Sequence, residues 1–292
     1  MQFALTVEQR ELAHAVRDML AKECPPDVAR IGDVGRVWPK LAELGVLGGD
    51  GFGNVEAALV ALEAGRACAP GPLPETVAAL AVADAADADR ISNGDIVVTA
   101  AAPHAAYADI AELVLTGGGL ETSTPQPLAS VDPARPLFAV DGSPVTGAAY
   151  DVGALMTAAY LTGAGRAMVD QAVAYAKTRE QFGRVIGSFQ AVKHRLADAH
   201  IGVEFARPVV LAAAWALDAD DANASQSVSH AKLRANRAAT FAAKAALQVH
   251  GAIGYTEECD LVIWLRRTWS MAGSFGDDEA HRDRLRQSLR RR

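Results

Sequence analysis

Cysteine is scarce, with only Cys24, Cys68 and Cys259 among 292 residues. These form no CxxC pair and are too few and too scattered for a disulfide framework, so a reducing cytosol is expected and zinc finds no ligand set. None of the seven histidines pairs with another His or a Cys at metal-ligand spacing, and no metal site is predicted. No run of about 18 apolar residues occurs, and the opening MQFALTVEQRE has no basic stretch ahead of an apolar one. Neither a membrane span nor export is therefore expected, and the protein is placed in the cytoplasm. Positive charge is also short. With 28 Lys and Arg against 35 Asp and Glu the net charge is −7, so no global field draws nucleic acid or anionic lipid. GxSxG, GxxxxGKS/T and GxGxxG are absent, which removes a hydrolase elbow, a P-loop and a Rossmann fingerprint.

What is present is apolar surface and alanine. Half of the residues are apolar, enough for a sizeable core, and alanine supplies about a fifth of the chain. Charge is uneven: nine basic residues stand against 20 acidic ones up to Tyr150, and 19 against 15 beyond it. An anionic ligand would favour the second half, although six of those 19 are arginines between Arg282 and Arg292, as a solvated helix end carries.

The pattern divides the chain into an N-terminal helical domain over residues 1–90, a small β-domain over 91–150 and a C-terminal helical bundle over 151–292. In the first part Leu12, Val16, Met19 and Leu20 form a helical stripe behind a Thr6–Gln9 capping box. A second helix carries Trp38, Leu41 and Leu44 and stops at Gly45. A third runs from Val55 to Cys68, ahead of Pro70-Gly-Pro-Leu-Pro, and a fourth spans roughly Glu75 to Ala88. Short apolar runs at Asp95-Ile-Val-Val-Thr, Glu112-Leu-Val-Leu-Thr and Pro136-Leu-Phe-Ala-Val, separated by turn residues, predict five or six short strands as a small sheet or partial barrel. Long helices are expected at about 151–178, 188–219, 225–251, 256–270 and 277–290. Ser188, Thr256 and Asp277 suit N-caps, and Pro208 should kink the second helix. Alanine lets antiparallel helices approach closely, so a bundle is the natural packing.

Three segments carry possible chemistry. Thr178-Arg-Glu-Gln-Phe-Gly183 places an Arg, an amide, a ring and a glycine in one turn between long helices. It is either a loop anchored by a buried Phe, or a site where Arg179 meets a phosphate and Phe182 offers a flat face to a ring. Gln248-Val-His-Gly-Ala-Ile-Gly254 is either a plain glycine helix stop, or a turn whose N–H groups approach an anionic ligand. Ser274-Phe-Gly-Asp-Asp-Glu279 opens the last helix with three acids, which the helix dipole alone explains.

In combination these pieces resemble the acyl-CoA dehydrogenase family. Phe3-Ala-Leu-Thr-Val-Glu-Gln-Arg, Trp38-Pro-Lys-Leu-Ala-Glu-Leu-Gly-Val-Leu-Gly48 and Leu62-Glu-Ala-Gly-Arg-Ala-Cys-Ala-Pro-Gly-Pro72 are similar to its N-terminal domain in order and spacing. Asp132-Pro-Ala-Arg-Pro-Leu137 is similar to a run near the end of its β-domain. The long matches are Tyr175-Ala-Lys-Thr-Arg-Glu-Gln-Phe-Gly-Arg-Val-Ile-Gly-Ser-Phe-Gln-Ala-Val-Lys-His-Arg-Leu-Ala-Asp198 and Gln248-Val-His-Gly-Ala-Ile-Gly-Tyr-Thr-Glu-Glu258. The resemblance covers nearly the whole chain. It implies a mainly α fold with a small central β-domain, and an FAD shared between subunits. It also implies α,β-dehydrogenation of an acyl-CoA thioester, with an electron-transfer flavoprotein as acceptor. Carried over position by position, Arg179 meets the FAD pyrophosphate, with Gln181 and Phe182 alongside the cofactor. Gln190 adds a contact, and Gln248 with the Gly251 backbone holds the other end of a neighbour's FAD. Ala252 departs from the family's usual second glycine but keeps its N–H.

Other departures fall on the chain's own site. Phe275 stands at the usual position of the catalytic base and Gly153 at the alternative one, so no catalytic residue is assigned. The loop after the second helix is shortened to Gly48-Gly-Asp-Gly-Phe-Gly53, and the β-domain lacks the family's Thr-Glu-Pro…Gly-Ser-Asp and Trp-Ile-Thr stretches. Asp277 replaces a Thr that normally contacts the cofactor. The pattern resembles the shortened, non-catalytic subunits of actinobacterial heteromeric steroid and cholesterol acyl-CoA dehydrogenases. Those pair with a homologous catalytic subunit as α2β2 tetramers, and for this chain neither a nucleic-acid nor a membrane partner is expected. Two alternatives remain open at this point. One is a self-sufficient homomer using a displaced carboxylate, with Asp151, Asp278 or Glu279 nearest to the vacated positions. The other is a non-enzymatic stabilising or regulatory partner.

Overall fold

The computed structural model describes residues 4–48 and 52–290. Phe3, the Gly49, Asp50 and Gly51 of the shortened connection, and Arg291 and Arg292 of the arginine tail lie outside them. Six helices open the chain: α1 (Val7–Glu23), α2 (Pro26–Ile31), α3 (Val34–Glu43), α4 (Asn54–Ala67), α5 (Leu73–Leu80) and α6 (Ala85–Ser92). The capping box is formed, with the Gln9 N–H donating to Thr6 Oγ1 at 3.2 Å and the Thr6 N–H to Gln9 Oε1 at 3.1 Å. The helix expected over 75–88 is two helices instead. Asp84 accepts the Asp87 N–H at 2.9 Å and so starts α6 afresh, where a continuous helix would leave that carboxylate without its local donor.

Six short strands follow in two three-stranded sheets. In one, β1 (Val98–Ala100) runs parallel to β3 (Leu113–Thr116), which pairs antiparallel with β4 (Gly119–Glu121). In the other, β6 (Leu137–Ala139) lies between β2 (Ala105–Ala106) and β5 (Gln126–Leu128), antiparallel to both. The remainder is α7 (Gly147–Thr178), a hairpin of β7 (Glu180–Gln181) and β8 (Arg184–Val185), α8 (Gln190–Asp218), α9 (Ala224–His250), α10 (Leu261–Met271) and α11 (Asp278–Arg290).

Two of the expected caps are wrong and one is right. The Ser188 hydroxyl turns back to the Val185 carbonyl at 2.7 Å, inside a 3₁₀ turn that ends before α8 begins. Thr256 closes a second 3₁₀ turn, Gly251–Tyr255, with its hydroxyl on the Ile253 carbonyl, so α10 starts five residues later. Asp277 does cap α11, accepting the N–H groups of Glu279 and Ala280 at 3.0 and 2.9 Å. Pro208 sits within one unbroken α8.

The core is centred on α7, which is buried along most of its length and packs against α4, α5, α8 and α9. Its crossing with α4 depends on facing glycines: a Cβ at Gly65 would lie 1.9 Å from the Tyr160 carbonyl oxygen, and one at Gly163 would lie 1.9 Å from that of Leu62. α8 is long and apolar enough to cross a membrane by length and composition, yet it packs along α9 and α7. Ile201, Phe205 and Trp215 remain exposed on it. All three cysteines are free thiols, and burial pushes Cys24 up to about 12 and Cys68 up to about 11.

Candidate functional site

The turn ahead of α11 is where the family resemblance looks for a base, and it is filled. Phe275 is fully buried and adopts a left-handed φ of 50°, a conformation that costs a non-glycine residue about 1–2 kcal/mol. Its ring lies directly on Gly153 of α7. A Cβ there would come within 2.2 Å of the Phe275 ring, so the two positions where the resemblance looks for a base fill one another. The backbone is held from both sides: the Phe275 N–H donates to the Ala102 carbonyl at 3.2 Å, and His281 Nε2 donates to the Phe275 carbonyl at 2.9 Å.

Beneath this turn lies a buried lysine that the sequence did not reveal. Lys232 is fully buried in α9, and its Nζ donates to Asn236 Oδ1 and to the carbonyls of Ala272 and Gly276, all at 2.9–3.0 Å. Burial pulls this amine down to about 7. Burial first and the Lys232 charge second pull His281 down to about 4, so its imidazole is neutral. The only sequence trace of the clamp is the i, i+4 spacing of Lys232 and Asn236 on an alanine face.

A cavity of about 450 Å³ adjoins the turn, lined among others by His104, Arg135, Tyr150, Phe275 and Asp277. Asp277 is its one acidic lining residue among the described residues. The backbone N–H groups of Ala280 and Glu279 hold that carboxyl below the usual range, so a fixed negative charge occupies the α11 N-terminus. An anionic cofactor would meet repulsion at that point. Two of the three displaced-carboxylate candidates are engaged elsewhere. Asp151 accepts from Arg284 at 2.6 Å and from the Ser225 hydroxyl, while Asp278 pairs with Arg282 at 2.8 Å and accepts from Asn236 at 3.1 Å. Glu279 is exposed in the first turn of α11.

A second group of residues sits at the far end of α7 and α9. Arg179 caps α7, its N–H donating to the Tyr175 carbonyl at 2.9 Å, and its side chain is exposed without an ion-pair partner among the described residues. Gln181 ends β7. Phe182 follows at a φ of 55° and is 91% exposed, which overturns the reading of a buried anchor. Its ring meets Phe189 edge-on at 6.1 Å, and the Arg184 guanidinium lies 4.2 Å over Phe189. Gln190 begins α8 and is exposed. Gln248 is exposed on the last turn of α9. Gly251 ends that helix at φ 69° and ψ −146°, a combination that only glycine adopts readily. The hairpin and the turn leave from ends of α7 and α9 that meet at Tyr175 and His250, with the side-chain donors of Arg179, Gln181, Gln190 and Gln248 unpaired among the described residues, while the Gly251 N–H itself donates to the Leu247 carbonyl. That donor set fits a phosphate-bearing cofactor, and the turn ahead of α11 does not.

Comparison with known proteins decides the family. The acyl-CoA dehydrogenase N-terminal domain family matches residues 6–86, and the acyl-CoA dehydrogenase C-terminal domain family matches residues 141–289. The chain belongs to the acyl-CoA dehydrogenase family. Acyl-CoA dehydrogenase IpdE2 of Mycobacterium tuberculosis is 34% identical over 299 residues, covering 91% of this chain and 92% of the relative. Among solved structures, the ChsE4–ChsE5 complex from Mycobacterium tuberculosis superposes with a TM-score of 0.83 at 24% identity, covering 99% of both chains. The Tcur3481–Tcur3483 steroid ACAD G363A variant superposes at 0.85 with 23% identity, covering 97% of this chain and 98% of that one. Membership makes the protein an oxidoreductase of the acyl-CoA dehydrogenase type, in a family whose members generally bind FAD. Residues 87–140, which hold β1 to β6, lie between the two family matches.

Proposed function

We propose that this chain is the non-catalytic subunit of a heteromeric acyl-CoA dehydrogenase, working beside a homologous catalytic subunit in an α2β2 assembly. The observation that carries the reading is the contact of Phe275 with Gly153, which occupies both positions where a base could stand. The role of this chain is to hold the pyrophosphate and adenine end of an FAD seated mainly on the partner. Arg179 offers a forked, charge-assisted contact to phosphate. Gln181, Phe182 and Gln190 line the approach, and Gln248 with the Gly251 backbone takes the far end. When bound, FAD supplies the acceptor for the hydride leaving the β-carbon of the acyl group, and the partner's base takes the α-proton. The acyl group we assign is a steroid-derived CoA ester, and the electron acceptor an electron-transfer flavoprotein. The steroid assignment is supported by likeness to a structure described as a steroid ACAD.

The displaced-carboxylate reading is disfavoured by the ion pairs of Asp151 and Asp278. A purely stabilising role leaves the unpaired Arg179 and the strained, exposed Phe182 without a purpose. The test is purification alone and with the co-expressed homologous subunit, followed by a flavin spectrum and an acyl-CoA oxidation assay. The lone chain should carry little FAD and no activity, and the assembly one FAD per pair of unlike chains. A yellow, active homomer would overturn the reading.

A further inference from the structure

The two cofactor-facing elements come from segments about 70 residues apart, and something has to set their spacing. We propose that Tyr175 and His250 are positioning residues, a stacked strut that fixes the Arg179 hairpin relative to the Gly251 turn. This rests on the cross-subunit FAD reading above. The rings lie 4.3 Å apart between centroids with planes inclined by 20°, the one stacked pair among the described residues.

Each ring sits at the root of one element. The Tyr175 carbonyl accepts both the Arg179 N–H at 2.9 Å and the Thr178 hydroxyl at 3.2 Å, so the residue carrying the ring also anchors the start of the hairpin. The hairpin closes on the same place, with the Ile186 N–H on the Arg179 carbonyl at 2.8 Å. On the other side His250 immediately precedes Gly251. Its Nδ1 donates to the Ala246 carbonyl at 2.9 Å, which fixes the ring plane and requires the hydrogen to sit on Nδ1. Burial holds this imidazole below its ordinary value, so it is neutral. The turn folds back onto the same residue: a Cβ at Gly254 would lie 3.1 Å from His250 Cβ. Moving either ring therefore moves the backbone that presents Arg179 or Gly251.

The test is a double-mutant cycle on the assembled heteromer, read as the dissociation constant for FAD, alongside the melting temperature of the isolated chain. Tyr175→Leu fills the volume without a ring face, and His250→Ala removes the other ring. Each should weaken FAD binding by about tenfold, with the double variant little worse than either single one. Tyr175→Phe should restore binding. Because the strut acts through Arg179, Tyr175→Leu should add little once Arg179→Ala is present, an interaction that general loss of stability would not produce. FAD binding unchanged in Tyr175→Leu and His250→Ala while Arg179→Ala loses it overturns the strut alone. FAD binding unchanged in Arg179→Ala overturns the cross-subunit reading instead. Should Tyr175→Leu fail to assemble, His250→Ala and Tyr175→Phe complete the comparison, and additive effects of unrescued variants also overturn the strut.

Discussion

His281 shows how much one buried ring governs. It reaches the Phe275 carbonyl with Nε2 and the Ser229 hydroxyl with Nδ1 at 3.2 Å, and burial takes its pKa to about 4 from an ordinary 6.5. Between those values the unfolded chain binds a proton that the folded ring refuses. The His281 contribution is therefore unpenalised above pH 6.5, and stability falls as the pH drops toward 4, by roughly 3 kcal/mol over the window. Urea melts of the isolated chain at pH 7 and pH 4.5 should show the loss, and His281→Phe should flatten that limb. Phe275 permits a second prediction. Phe275→Glu places a carboxyl in a fully buried, close-packed position, and should cost about 3–5 kcal/mol through lost packing and desolvation. It should add neither flavin nor turnover to the assembly, which a flavin ratio and a turnover count per assembly would check. Part of this was visible in the sequence, since Phe275 and Gly153 were recognisable as unable to take a proton. Their mutual contact was not, because residues 122 positions apart meet only once α7 and the final turn are packed.

At the scale of an element, the hairpin between α7 and α8 is the exposed part to which we assign the cofactor contact. With the catalytic partner present, Arg179→Ala should remove a contact of roughly 1.5–3 kcal/mol to phosphate, and Arg179→Lys should recover only part of it, because an ammonium lacks the fork. Flavin retained through desalting measures both. The candidate residues of this element could be named from the sequence because they are local: an Arg, two amides, a ring and a glycine fall within a dozen residues. Helix boundaries were less so. The serine and threonine expected to cap α8 and α10 spend their hydroxyls on nearby carbonyls instead, a competition between local partners that composition does not settle. The break between α5 and α6 has the same origin, in an aspartate that found a closer donor.

Across the whole molecule, Arg267 ties the parts together. Fully buried in α10, it pairs with Asp132 of the strand region, donates to Tyr160 of α7 at 2.9 Å, and reaches the Ala69 carbonyl after α4 at 3.1 Å. Arg267→Met should cost about 3–5 kcal/mol because it leaves the Asp132 carboxylate buried without its cation. Arg267→Met with Asp132→Asn should recover part of the loss in a thermal melt. Arg135 makes a second such tie, to Glu75 at 2.9 Å and to Ser274 at 3.1 Å. The three-part layout of helices, strands and helices was readable from periodicity, but these ties were not. Their partners stand 60 to 198 residues apart, and nothing in the spacing of charges distinguishes a buried arginine from a solvated one.

The Phe275 ring on Gly153 also imposes an order on any acquisition of a carboxylate at position 153. A glutamate introduced at 153 has no room while the ring is there, since even a methyl group would collide at 2.2 Å. A small residue at 275 has to come first, and until a second change follows, that intermediate carries an empty space in the core and a stability deficit with no new chemistry to show for it. A route to a carboxylate at 153 thus runs through a valley, guarded by the packing of this ring.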